Sequence, residues 1–137
     1  MFDPLSAGQE GNATVYPAEL LNITTRLLAY AAAHPKTRLL YLLTTPRLCD
    51  AATDGVIHTV LNMEASAMMQ RLGVPMLDPY SAIRTKCGGT PPTKGCETEP
   101  SWGSDCWCPH CPAGYAWLTN STLAGPIRAM LVNGQLP

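Results

Sequence analysis

Apolar residues fall along this chain in blocks whose spacing switches between the 3.6-residue period of a helix and the continuous run of a buried strand. Residues 1–15 form a loose start containing Asp3-Pro4 and the polar stretch Gly8 to Asn12. From 18 to 33, Leu20, Leu21, Ile23, Leu27, Leu28 and Ala31 predict one amphipathic helix, and His34-Pro35 ends it because backbone before a proline disfavours the helical region. Leu39-Leu40-Tyr41-Leu42-Leu43, closed by Thr44-Thr45-Pro46, predicts a strand buried on both faces of a parallel sheet. Ile57, Val60, Leu61, Ala65, Met68 and Leu72 then recur at helical spacing over 52–72, with Gly73 as the stop. Val74-Pro75-Met76-Leu77 predicts a second, shorter strand that delivers Asp78 at its end. Over 79–112 no period persists, prolines and glycines are frequent and most of the cysteines occur, so this stretch reads as a Cys-rich stapled loop. A closing helix over 113–133 follows, with Tyr115, Leu118, Leu123, Ile127, Met130 and Leu131 on its apolar face and a kink expected at Gly125-Pro126.

The order α, β, α, β, loop, α implies an α/β fold: parallel strands, right-handed crossovers and covering helices within a single domain. Two strands are too few for a stable sheet of this kind, so further strands must join them, from this protein or from a second chain pairing through the open sheet edge. Open parallel sheets gather their sites at the carboxyl ends of the strands. Thr44-Thr45-Pro46, Asp78 and the loop before the closing helix are expected along that edge.

Composition narrows the function classes. A chain of 137 residues with 46% apolar residues has room for one core, and that apolar share together with a charged fraction of only 14% argues against disorder. A net charge of -1 without any run of Lys or Arg excludes nucleic acid and anionic membrane as partners, and no stretch of about 18 apolar residues is present to span a bilayer. Six cysteines, five of them between Cys87 and Cys111, point to an oxidising compartment. The acceptor patterns at Asn12, Asn22 and Asn120 point to secretion or the secretory lumen. Met1 to Pro17 contains no apolar signal core, so a signal peptide is expected upstream of Met1.

The chemistry concentrates in Cys106-Trp107-Cys108-Pro109-His110-Cys111. A histidine held at the entrance of a helix suits general base work, since imidazole titrates near neutrality, and Asp105 is the nearest carboxylate in sequence to orient it. Zinc needs four converging donors, and the cluster is too cramped to wrap one ion unless Cys87 or Cys96 contributes. Disulfides are the simpler account: Cys87 with Cys96 for one bridge and two of Cys106, Cys108 and Cys111 for another, with the full connectivity open and Cys49 a buried thiol. No metal or cofactor is expected.

From Tyr16 onward the order of pieces resembles the C-terminal half of SGNH (GDSL-type) hydrolases. The pieces are an apolar strand ending in Thr44-Thr45-Pro46, Asn62 in a long helix, Gly73-Val74-Pro75-Met76-Leu77-Asp78-Pro79-Tyr80 as the next strand, and His110 ahead of Gly114-Tyr115 and a last helix. The resemblance implies a three-layer α/β/α, flavodoxin-like fold and acyl-ester hydrolysis through a Ser-His-Asp triad, with His110 matching the catalytic histidine. The family's Gly-Asp-Ser block and its glycine and asparagine oxyanion blocks do not occur in these 137 residues, and Trp107 stands where the family has its aspartate, which leaves Asp105 as the partner candidate. The resemblance therefore implies a chain that is inactive as it stands. Asp105 to Cys111 is also similar to the closing block of plant trichome-birefringence-like polysaccharide O-acyltransferases, which implies a small-molecule or carbohydrate acyl ester as substrate.

Two other classes compete. Cys108-Pro109-His110-Cys111 resembles the redox centre of DsbA-like oxidoreductases, where a cysteine at a helix N-terminus becomes an acidic nucleophile. Only 26 residues, 112 to 137, follow it here and read as one helix, whereas the thioredoxin fold continues with several strands and helices. A disulfide-stapled binding or structural module without catalysis is the other class. Of the remaining polar residues, Asp78 reads as a helix cap or turn residue, His34 and His58 as surface, and Asn62 as facing a loop rather than catalytic. Trp102, Trp107 and Trp117 read as a small core beside disulfides or as the lining of a sugar cleft.

Overall fold

A computed structural model describes residues 15–48, 51–88 and 116–133. Helix α1 (Val15–Ala33) leads into β1 (Tyr41–Leu42), and a long helix follows in three parts, α2 (Ala51–Val56), a π-helical turn (Ile57–Asn62) and α3 (Met63–Leu72). Then come β2 (Met76–Leu77), α4 (Pro79–Cys87) and a last helix, described from residue 116, that passes through a second π-helical turn (Thr119–Leu123) into α5 (Ala124–Asn133).

β1 and β2 pair in parallel, Tyr41 opposite Met76 and Leu42 opposite Leu77, as the alternation of elements requires. Tyr41 N–H donates to the Pro75 carbonyl at 2.9 Å and Leu43 N–H to the Leu77 carbonyl at 3.0 Å, so the ladder extends one residue before β2 and one residue past β1. Gly73 makes this crossover tight. At φ 66° it adopts the left-handed conformation that glycine tolerates best, its N–H caps the Gln70 carbonyl, and Val74 N–H returns to the Met69 carbonyl at 2.9 Å. Together these bonds form a Schellman stop that turns α3 directly into β2.

The interior consists of three small clusters. Met68, Met69 and Val74 are buried beneath Leu20 and Leu28 of α1 and beside the strand residues Leu39, Tyr41 and Met76. Ile57, Leu61 and Tyr80 pack with Tyr16 and Val60, and Leu48, Ile83, Cys87 and Leu118 pack with Trp117 and Leu123. Every core-facing residue expected over 52–72 is buried or half-buried, Met69 joining them.

Four expectations need correction. Residues 79–87 are helix rather than loop: Asp78 accepts from Ser81 N–H at 2.9 Å as N-cap, Pro79 occupies the first turn where its missing N–H costs nothing, and Tyr80, Ile83 and Cys87 face inward. The remainder of the expected loop, 89–112, lies outside the described residues. β1 is not covered on both faces, because Leu42 is 46% exposed. On α1 the packed stripe is Tyr16, Leu20, Thr24 and Leu28, while Leu21, Ile23 and Leu27 are exposed, since apolar residues encircle most of this helix and only one side meets α3. Leu131, expected inward on the closing helix, is also exposed.

Where a kink is expected at Gly125-Pro126, a π-turn lies just before these residues and the α-helix continues through them. Proline at 126 cannot donate to the Thr122 carbonyl and its ring crowds that group, and Ala124 N–H bonds to the Thr119 carbonyl five residues back, which widens the helix at this point.

Tyr16 joins three elements: its hydroxyl lies 3.1 Å from the Tyr41 hydroxyl of β1 and donates to the Leu61 carbonyl in the first π-turn at 3.4 Å. Burial, then the bond and charge of Tyr41, raise its pKa above the ordinary tyrosine value, and burial followed by the Asp54 charge raises that of Tyr80. A folded pKa above the unfolded one stabilises fully below about pH 10 and loses that contribution above it, as the unfolded chain ionises first. The urea midpoint is therefore expected to fall between about pH 9 and 11, with a shallower fall in Tyr16→Phe. An unchanged slope in the variant would contradict this assignment.

Candidate functional site

A cleft of about 310 Å³ opens at the carboxyl edge of the two strands. Leu43 enters it directly after β1 and Asp78 directly after β2, with Tyr80 and Ser81 from the start of α4, while His58, Asn62, Met63, Ser66, Ala67 and Gln70 come from the long helix. A smaller cavity of about 180 Å³ lies at the opposite, amino edge, lined by Leu39, Gly73, Val74, Pro75 and Met130 among others.

Asn62 shapes the cleft's back wall. Its side chain accepts from Thr44 N–H at 2.9 Å and donates to the Thr44 carbonyl at 2.8 Å, engaging both backbone groups of one residue as a neighbouring strand would. Buried at 5% exposure, it holds the chain open just past β1, in agreement with its reading as a residue that faces a loop. Beneath the other wall lies Asp54, 4% exposed, which accepts from Arg47 N–H at 3.0 Å, from the Tyr80 hydroxyl at 3.2 Å and from Arg84 at 3.0 Å. One carboxylate thus ties the loop after β1 to the first and last turns of α4. Above it the exposed His58 ring stacks on Tyr80, centroids 5.3 Å apart.

His58, Asn62, Ser66 and Gln70 recur every four residues. In a regular helix each four-residue step drifts by about 40°, so four such residues would spiral off one face. The π-turn at Ile57–Asn62 holds more residues per turn and reduces that drift where His58 and Asn62 face the cleft. The four-residue polar spacing was the signal in the sequence; His58 and Ser66 were missed because a polar stripe facing a cleft looks like one facing solvent.

Asp78 serves as the cap it was read to be, and its carboxylate also accepts from the Ser81 hydroxyl at 2.6 Å. That hydroxyl is committed to a carboxylate without an imidazole partner, so the pair is a helix cap and not a nucleophile with its base. His34 is on the surface as expected, stacked on Tyr30, and His58 is exposed as expected although it borders the cleft. Among the described residues no three His, Cys, Asp or Glu side chains converge to hold a metal, and no helix is long and apolar enough to cross a membrane.

His110, Asp105 and the whole Cys106 to Cys111 cluster lie outside the described residues, as do Cys49, Cys96, Trp102, Trp107 and Asn12. Lys86 Nζ lies 5.5 Å from the Trp117 ring centroid, and Leu118 packs with Cys87 and with Leu48 of the loop leaving β1. Leu118 thus packs beside the loop that leaves β1, and Met130 further along the same helix lines the cavity at the amino edge. Cys87 is fully buried and disulfide-bonded. Asn22 and Asn120 are both exposed, each on a helix.

Comparison with protein-family models, with curated proteins and with solved structures gives no match.

Proposed function

We propose that this chain is the histidine-bearing, C-terminal portion of a secretory SGNH-like acyl-ester hydrolase acting on a small-molecule or carbohydrate ester. One observation carries the proposal: Leu118 of the closing helix packs on Leu48, in the loop that leaves the carboxyl end of a parallel strand pair, and His110 stands eight residues before Leu118. In open parallel sheets that edge is where catalytic loops meet. The strand pair then belongs to a three-layer α/β/α sheet whose other strands cover Leu42.

In this proposal His110 takes the proton of a serine hydroxyl as its oxygen attacks the ester carbonyl, then delivers that proton to the departing alcohol. Water completes the cycle by the same route and frees the acid. Asp105 orients the imidazole. The serine and the oxyanion donors come from sequence outside these 137 residues, and without them the histidine has nothing to activate and no developing charge is stabilised. The chain alone is accordingly expected to leave p-nitrophenyl acetate at the buffer rate, and the transcript 5′ of the Met1 codon to encode a signal peptide and a Gly-Asp-Ser block. Hydrolysis by the chain alone, or a transcript that starts at Met1, would overturn the proposal.

A disulfide-stapled binding module that pairs with a second chain is the second reading, favoured by the exposed Leu42 of β1 and the exposed Ile23, Leu27 and Tyr30 of α1. Ester hydrolysis by the serine-bearing protein sinks it.

A further inference from the structure

We propose that the cleft at the carboxyl edge is a binding site for a neutral saccharide, recognised by the stripe His58, Ser66 and Gln70 together with Asp78. The proposal rests on the ester-hydrolase reading only for its purpose, to hold the alcohol side of the ester. Binding itself needs neither His110 nor a serine nucleophile.

The site's chemistry argues for this ligand class. Among the described residues its lining contains one carboxylate, Asp78, and neither Lys nor Arg, so a phosphate or carboxylate ligand would meet like charge there. Its polar groups span the whole hydrogen-bonding range: an amide that donates and accepts at Gln70, a hydroxyl at Ser66, an imidazole at His58, and carboxylate lone pairs at Asp78 beyond those that Ser81 uses. Among the described residues the side chains of Ser66 and Gln70 make no hydrogen bond within the protein, and that of His58 only stacks on Tyr80. Leu43, Met63 and Ala67 supply apolar surface between these groups. A sugar presents the same alternation, hydroxyls that both donate and accept around C–H faces. The cleft volume stands at the small end of ligand sites, which suits one or two rings.

Asn62 and the π-turn give the site its fixed frame. Because Asn62 spends its side chain on the Thr44 peptide, it is a positioning residue, and recognition falls to its neighbours at 58, 66 and 70. π-turns within helices recur at functional sites because they displace side chains from the regular spiral.

The test is titration of the ¹⁵N-labelled 137-residue chain with xylobiose, cellobiose and diacetylchitobiose, followed by amide and side-chain shifts. Saturable shifts confined to residues 58–70 and 78–81 are expected for at least one sugar, with a Kd on the order of 1 mM and no salt dependence. The double variant Ser66→Ala, Gln70→Ala touches no described hydrogen bond, keeps a dispersed spectrum and is expected to bind about tenfold more weakly. Absence of saturable shifts with all three sugars overturns the proposal. So does undiminished binding by the folded double variant, or tighter binding of inorganic phosphate than of any sugar. Failure of the hydrolase reading is seen separately, in ester turnover without any sugar present.

Discussion

Replacing Asp54 with alanine is expected to lower the unfolding free energy by about 3 kcal/mol, the largest loss of stability for one side chain at the cleft. The carboxylate is 4% exposed and accepts from Arg47 N–H, the Tyr80 hydroxyl and Arg84. Alanine removes these acceptor contacts, leaves the Arg47 N–H without this partner and takes the carboxylate away from the guanidinium. The estimate stays at the lower end for a broken buried pair because the Arg84 side chain is 34% exposed and can turn to water. Asparagine keeps an acceptor and about the same volume but no charge, so Asp54→Asn should cost roughly half as much. Thermal unfolding checks both, with a fall in Tm of about 10 °C expected for alanine in a domain of this size. The damage should also reach the cleft, since the same carboxylate holds Tyr80, on which His58 stacks. An alanine variant as stable as the wild type would show that this network is not what joins α4 to the loop after β1.

Features set by local signals were legible in the sequence. The helix over 51–72 shows in its period, Gly73 in its stop, and Asp78-Pro79 in cap chemistry, and the parallel pairing of Tyr41-Leu42 with Met76-Leu77 follows from the alternation of helix and strand. Features set by what lies opposite were not. Ile23 and Leu27 continue an apolar stripe that looks like core, and only the packing reveals that α3 covers the Leu20 and Leu28 side instead. Helix α4 was hidden by its length: nine residues leave room for only three core contacts, Tyr80, Ile83 and Cys87, and the cysteine was counted as a crosslink first. π-turns have no residue period of their own, although Pro126 marks where one of them must relieve a lost bond. The candidate catalytic pair Asp105 and His110 came from a motif and its order in the chain, and the described residues bear on it only through the packing of Leu118 of the closing helix on Leu48.

The larger expected effect is on turnover. In the serine-bearing protein, His110→Ala should lower kcat/KM for an acyl ester by about a thousandfold or more, because a serine hydroxyl without its base is almost entirely protonated and the leaving alkoxide has no proton donor. Because the loss falls on the chemical step, kcat should fall with little change in KM. Asp54→Asn, which disturbs the scaffold and not the proton path, should by contrast lose stability before it loses kcat. Asp105→Asn separates orientation from bulk, since an amide keeps the shape and cannot hold the imidazolium that forms.

The most direct measurement of the central claim is therefore steady-state hydrolysis of p-nitrophenyl acetate by that longer protein, wild type beside His110→Ala, both confirmed folded by circular dichroism. Turnover by the wild type that falls about a thousandfold in the variant is the result this account predicts. Turnover that survives in the variant within about tenfold of wild type, or a longer protein with no turnover at all, would contradict it.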